Sequence, residues 1–443
     1  MGSVKHLIMD ALFGERFSID RLVLKEALGL YRPPTPMEFG RGAWWVTGAY
    51  SVGDLKDLIP KTEIKDKAEA LSMVVAAFFE YLANECPDIP TCYEGMIGPD
   101  GRQTDLQGLL QRGEKSNVVV MRLAHTPETF LKKSKIEKED LIRYRQAFQS
   151  GELQCHVADV EAIFRLGFPL GSSTFGKICE AVGLKEEYEK AGTYAETVEV
   201  LDKARGIADE KGIGQFPELQ EILLQYNLGN AIPNPGFMLN NPVYDNTTKF
   251  EGGGDRAITE EEAKRLSGLS DEGYHRWKND IFPRSADAQI SFAASKRLAN
   301  FDGKEEAVAY RGMPVITDFA CSHDENRLMI ITESSEGIWA IPSNKEIQRG
   351  VFRSAGVYSA ISEAKRRAES AGNGDDWRSY FTQVVDERKI DVNAVSEHSC
   401  NLMSYAIGEV ANRILGKSVF DTKPMGTWMD EFMPYASKVE RKG

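Results

Sequence analysis

The sequence predicts an α+β protein built on antiparallel sheets, and three observations predict it. Strand-like runs rich in β-branched and aromatic residues come early, at 44–55, 115–124 and 157–170. A hairpin-like pair of apolar runs follows at 313–334, and the chain closes in long helix-like stretches from 346 onward. Strands gathered apart from helices favour segregated layers over an alternating parallel fold.

In chain order, SIDRLVLKEALGLY (18–31) reads as a helix that the Pro-rich RPPTPMEFG breaks. WWVTGAYSVGDL has strand character with a tight glycine turn, and PKTEIKDK is a charged connector. AEALSMVVAAFFEYLAN (68–84) is an apolar helix suited to a core, and KSNVVVMRLA (115–124) is a strand with Arg122 near its end. Residues 125–155 read as a charged helical insertion whose charge run is a solvated face. VADVEAIFRLGFPLGSSTFGK (157–177) is a strand ending in a Gly-Ser turn, and 178–229 are largely helical.

The stretch NPVYDNTTKFEGGGDRAIT (241–259) concentrates Lys249, Glu251, three glycines and the Asp255-Arg256 pair in one loop. Glycines let a ligand approach the backbone, Lys249 suits phosphate, and Asp255 suits a metal or an amine. As a plain surface loop it would end in a helix cap, Thr259 with Glu262. A helical stretch at 259–300 then leads to Tyr310-Arg311-Gly312 and to MPVITDFACSHDENRLMIITES, read as strand, DEN turn, strand.

Composition narrows the function classes. Of 443 residues, 42% are hydrophobic and 27% charged, the balance of a globular protein. A net charge of −13 argues against duplex nucleic acid, which wants a basic face, but allows a small anionic ligand in a locally basic pocket. No apolar run reaches the roughly 18 residues of a membrane span, and MGSVKHLIMD lacks a signal-peptide core and only weakly matches a myristoylation start. Six scattered cysteines without CxxC spacing suggest reduced thiols in the cytoplasm; Cys155-His156, Cys321-x-His323 and His398-x-Cys400 lack zinc-ribbon pairing.

Taken in order from about 45 to 372, these segments resemble the SAICAR synthetase (phosphoribosylaminoimidazole-succinocarboxamide synthase) family. IKDKAEALSMVVAAFFEYL with Ile89-Pro90-Thr91 is similar to its connector, first long helix and next strand, and NVVVMRL to a strand of its ATP lobe. VEAIFRLGFPLGSS is similar to the VE-x-VxR…GS segment that holds ribose phosphate, and NPVYDNTTKFEGGGDRAIT to the TTKxE…GD loop. VITDFACSHDENRLMIITESSEGIW resembles the hairpin that carries the metal carboxylates and a Ser-Arg. NKEIQRGVFRSAGVYSAISEAKRR resembles the helical close.

The resemblance implies a two-lobed, SAICAR-synthetase-like fold (ATP-grasp/kinase-like) with antiparallel sheets: an ATP lobe over 1–124 and a larger lobe over 125–443, with helical insertions near 125–155 and 180–230. It implies an ATP-dependent ligase that makes an acyl phosphate on a nucleotide carboxylate and passes it to the amine of aspartate. The catalytic residues implied are Lys249, Asp255 and Glu333. Arg165, Gly171, Ser172, Ser173, Lys177, Thr248 and Arg256 would bind the nucleotide substrate, and Arg122 and Lys67 would bind ATP. Mg²⁺ would be held by Glu333 with Asp318 or Asp324, since hard cations take carboxylate oxygen. The partners implied are a nucleotide and an amino acid, with no nucleic acid and no membrane, and a homo-oligomer left open.

The departures are concentrated. No N-terminal glycine-lysine loop is found, and the run from Arg165 to Gly171-Ser172 is one residue longer than the family pattern. With the hairpin on 313–339, the first-strand glutamate falls at Ser322, the second-strand Asp-Glu at Thr332-Glu333, and the Ser-Arg has no arginine. The second reading that follows is a divergent member acting on another nucleotide or amine, or a non-catalytic nucleotide binder.

Overall fold

Two antiparallel sheets share one core. The computed structural model describes residues 43–47, 64–122, 155–248 and 256–441, apart from 311, 319, 336, 344 and 393. Single helical turns carry no label below.

The first sheet contains β1 (Ala43–Thr47), β2 (Tyr93–Ile97), β3 (Gln103–Thr104) and β4 (Val118–Arg122), in the order β1-β4-β2-β3. Against it lies α1 (Lys67–Glu85), with α2 (Leu106–Arg112) packed on α1. The sequence of α1 is apolar around most of its circumference, so it must be surrounded. Leu71, Met73, Val74, Val75, Phe78, Phe79 and Leu82 are all at 1% exposure or less. The α2 helix is capped by Asp105, which accepts from the Gly108 N–H, and ends at Gly113 in the left-handed region.

The second sheet has eight strands. These are β5 (Cys155–Gly167), β6 (Phe237–Thr248), β7 (Leu298–Tyr310), β8 (Met313–Thr317), β9 (Asn326–Ser334), β10 (Gly337–Pro342), β11 (Ser437–Lys438) and β12 (Glu440–Arg441). Their order is β11-β10-β9-β7-β5-β6-β12, with β8 also on β7; the pairs are antiparallel except β6 with β12. The sheets meet where the Cys92 N–H donates to the Ile316 carbonyl (2.8 Å) and the Ile316 N–H to that of Pro90 (2.9 Å).

Helices of the second half complete the layers. Between β5 and β6 lie α3 (Ser173–Ala181), α4 (Tyr194–Lys211) and α5 (Pro217–Gln225), which close a satellite core of Phe168, Phe175, Leu201, Leu219 and Leu239. Between β6 and β7 come α6 (Glu260–Ser267), α7 (Asp271–Arg276) and α8 (Phe282–Ser295), the last two joined by a π turn at Trp277–Ile281. The C-terminal half adds α9 (Glu346–Ser354), α10 (Val357–Ser370), α11 (Trp377–Arg388) and α12 (Glu397–Leu415). Both α8 and α12 pack on α1, so residues from each sheet belong to one hydrophobic cluster. Among the described residues no helix is long and apolar enough to cross a membrane. The described cysteines 86, 92, 179, 321 and 400 are free thiols.

The hairpin expected over 313–334 is not formed. β8 and β9 do not pair with each other; both lie along the same edge of β7. Tyr310 faces Met313 across a turn ending at Gly312 (φ 80°), so the true hairpin is β7–β8, one strand earlier than the sequence suggests. A second hairpin joins β9 to β10 at Ser334 and Gly337. The stretch expected as helix up to 300 ends at Ser295, and the start of the 241–259 loop is the second half of β6.

Candidate functional site

Successive residues of a strand point to opposite faces, so register decides what one face displays. In β5 and β7, Glu161 is opposite Glu306, Ile163 opposite Lys304 and Arg165 opposite Asp302. One face therefore carries Glu161, Arg165, Asp302, Lys304 and Glu306. The other carries Ala162, Phe164, Gly303, Glu305 and Ala307, set against α8 and the core. Glu305 is the charged-type exception there, at 1% exposure, and burial pushes its pKa up to about 8 despite hydrogen bonds from Ser285 and Gln289.

One end of the polar face is acidic. A ligand oxygen from each of Glu161, Glu306 and Glu325 lies within 4.8 Å of the other two. Lys304 Nζ sits 2.8 Å from both Glu161 Oε1 and Glu325 Oε2. Three carboxylates and one ammonium leave two negative charges, which a divalent cation balances, and the all-oxygen donor set suits Mg²⁺. Topology brings Glu325 there. The loop 318–325 leaves β7 where Thr317 faces Glu306 and returns where Asn326 faces Gly303. Asp318, in the left-handed region (φ 67°), thus starts beside Glu306, and Asp324 ends 3.0 Å from Lys67 Nζ on α1.

The other end is basic. Arg165 Nη1 donates to Ser172 Oγ (3.0 Å), lies 3.6 Å from Asp302, and its guanidinium sits 5.7 Å from the Tyr226 ring centre. Ser172 is the N-cap of α3, its hydroxyl accepting from the Thr174 N–H. Arg327 reaches Asp302, Glu346 (3.0 Å) and the Gly171 carbonyl (3.5 Å), and Arg349 reaches Glu346 (2.8 Å). Gly171 is required by close approach, because a Cβ there would lie 1.5 Å from Glu346 Oε2. Burial raises the Glu346 pKa, but Arg349, Arg327 and Arg353 outweigh it and hold the group at about 2. Four guanidiniums against Asp302 and Glu346 leave two positive charges beside a helix N-terminus, the complement of a phosphate dianion. Nearby Asp245 is pushed up by burial, opposed by Arg165 and Lys177.

The expected site residues divide sharply. Arg165, Gly171 and Ser172 come together as described, and Ser173 and Lys177 are exposed on the first turns of α3. Lys67 and Asp324, expected to serve ATP and metal, pair with each other. Glu333, expected to hold Mg²⁺ with Asp318 or Asp324, lies exposed on β9 opposite Ile338. Seven residues of strand separate it from Asn326, about 23 Å at ~3.3 Å per residue. Thr248 is 1% exposed on the face opposite Glu161, where its hydroxyl accepts from the Arg256 N–H (3.1 Å); the neighbour Thr247 faces Glu161. Arg256 pairs through its guanidinium with Glu262 (3.0 Å), whose N–H meets the Thr259 cap. Lys249 and Asp255 lie outside the described residues, as does the Arg122 side chain. The chain on either side of 249–255 is joined by Thr248 N–H to the Arg256 carbonyl, next to Glu161.

Glu306, Glu325 and Arg327 escape a sequence reading that places the hairpin one strand too late, because their position is set by pairing with β7. The signal was present in Asp302-x-Lys304-x-Glu306, charged at every second residue.

No protein-family model matches the chain. An Archaeoglobus fulgidus protein, provisionally described as a phosphoribosylaminoimidazole-succinocarboxamide synthase, is 27% identical over 330 residues, covering 74% of this chain and 78% of its own. Solved structures of SAICAR synthases are also similar. One SAICAR synthase structure has a TM-score of 0.43 at 12% identity, covering 85% of this chain and 90% of its own. Another, from Saccharomyces cerevisiae complexed with SAICAR, scores 0.42 at 12% identity over the same shares. A type-2 SAICAR synthetase in complex with ADP scores 0.38 at 14% identity, covering 71% and 91%.

Two outcomes test the basic end. Arg165→Ala is expected to weaken binding of a ribose 5-phosphate ester by about 1.5–3 kcal/mol without unfolding the protein; calorimetric titration reads it, and unchanged affinity makes Arg165 structural. Glu346 is held below its ordinary 4.5, so its ionised form contributes stability above pH 4.5 that is lost as pH falls through 2. Glu346→Gln should therefore cost about 3 kcal/mol at pH 7, by urea unfolding, and progressively less as the pH falls through that window. An equal cost at pH 7 and pH 3 would remove the charge from the account.

Proposed function

We propose, from the kinship with the phosphoribosylaminoimidazole-succinocarboxamide synthase of Archaeoglobus fulgidus, that this chain is an ATP-dependent carboxylate-amine ligase. It joins aspartate to the carboxylate of an aminoimidazole ribonucleotide, the SAICAR-forming step of purine synthesis, as a cytoplasmic enzyme. The observation that carries the reading is the pair of opposite poles on one sheet face. Glu161 and Arg165 are four strand residues apart, about 13 Å. A nucleotide with a carboxylate on its base has two anionic ends, one for a cation held at the acidic pole and one for the arginines.

In this arrangement Arg165, Arg327, Ser172 and the α3 N-terminus grip the 5′-phosphate and fix the nucleotide in register. Glu161, Glu306 and Glu325 would hold Mg²⁺, which when bound neutralises charge on the transferring phosphoryl group and the carboxylate. A carboxylate oxygen attacks the γ-phosphorus of ATP, the bond to the β,γ-bridging oxygen breaks, and ADP leaves. The aspartate nitrogen then attacks the acyl carbon, the C–O bond to phosphate breaks, and the nitrogen loses its proton. Lys304, between Glu161 and Glu325, orients both carboxylates. Lys67, buried and paired with Asp324, ties the end of the 318–325 loop to α1.

ADP release is expected only with ATP, Mg²⁺, aspartate and the carboxylated aminoimidazole ribonucleotide together. Glu306→Gln should lower it by on the order of 10²-fold or more, while Glu333→Gln should leave it near the parent rate. A coupled assay checks both. Equal losses in the two variants, or no release with the full set, would contradict the assignment.

A further inference from the structure

A buried polar chain lies behind the site, on the face of the sheet that is otherwise apolar. Ser285 and Gln289, one turn apart on α8, both donate to Glu305 Oε2, Gln289 from its Nε2 at 3.4 Å. Gln289 Oε1 in turn accepts from Asn326 Nδ2 at 2.7 Å. All four residues are at 2% exposure or less. Buried polar groups are mostly hydrogen-bonded, and a chain of such bonds restricts the side chains that it links.

Asn326 is the residue between Glu325 of the acidic pole and Arg327 of the basic pole. Its backbone N–H donates to the Ser322 carbonyl (2.8 Å), and the Lys304 N–H donates to the Glu325 carbonyl (3.2 Å). Gly303, opposite it, leaves no freedom: a Cβ there would lie 2.1 Å from Asn326 Nδ2. A side chain seated this closely sets the direction of the residues before and after it.

We propose that Gln289, held by Glu305, which Ser285 also bonds, is a positioning residue: through Asn326 it sets Glu325 and Arg327 together and so couples the metal pole to the phosphate pole. The inference rests on the proposed reading of the two poles. Partners that orient metal ligands are worth about 10- to 100-fold in affinity when removed.

Binding measurements separate this claim from the ligase reading. Mn²⁺ affinity is read by electron paramagnetic resonance and D-ribose 5-phosphate affinity by calorimetry, on the full chain. Gln289→Met, which breaks both links, is expected to lower both affinities together by about tenfold or more. Glu305→Gln, which preserves an acceptor for Ser285 and Gln289, is expected to retain both. If Gln289→Met fails to fold, Ser285→Ala carries the test, with a smaller loss shared by both ligands. A folded variant with unchanged affinities, or with only one affected, overturns the coupling while leaving the poles intact. A parent protein that binds neither probe overturns the poles, and this inference with them.

Discussion

The structure depends on one constraint, the two-residue period of β5 and β7. With Glu161 opposite Glu306 and Arg165 opposite Asp302, the side chains of Glu161, Arg165, Asp302, Lys304 and Glu306 are directed to the same face. A slip of one residue in either strand would bury those charges against Phe292 and Ala293 of α8, at a cost no ion pair could offset. Register is thereby fixed by the core and the site at once. The apolar face that holds the fold together is what allows the opposite face to be dense in charge.

That density is organised rather than uniform. Like charges crowd at each end and are relieved locally, by Lys304 among the three glutamates and by Asp302 and Glu346 among the arginines. Each end keeps an excess of about two charges, negative near Glu161 and positive near Arg165. In a partly desolvated setting, such an excess favours a ligand of opposite charge far more than it would in water. The poles thus define both the polarity and the length of what can lie between them. The connection around Asn326 makes them one device.

How much of this was legible in the sequence varied with the kind of signal. The α1 helix and β4 were plain, because continuous apolar runs admit little else. Arg165 with Gly171 and Ser172 was legible because a strand, a glycine and a helix-capping serine follow one another locally. Glu306, Glu325 and Arg327 were missed for a non-local reason. Two apolar runs at 313–334 look like a hairpin, yet each pairs with β7, whose own sequence is charged on one side and was passed over between a helix and a turn. Thr247, not the expected Thr248, faces Glu161, and nothing in a Thr-Thr pair reveals this until the register with β5 is known.

The central claim is that a metal and a phosphate ester bind at opposite ends of one strand pair. Paramagnetic relaxation of the ³¹P signal of bound ribose phosphate by Mn²⁺ on the same protein measures it directly. The account predicts a metal–phosphorus separation on the order of 13 Å, four residues of extended chain, and loss of the effect in Glu161→Gln. A phosphorus in direct contact with the metal, or binding of both probes with no relaxation between them, would contradict it.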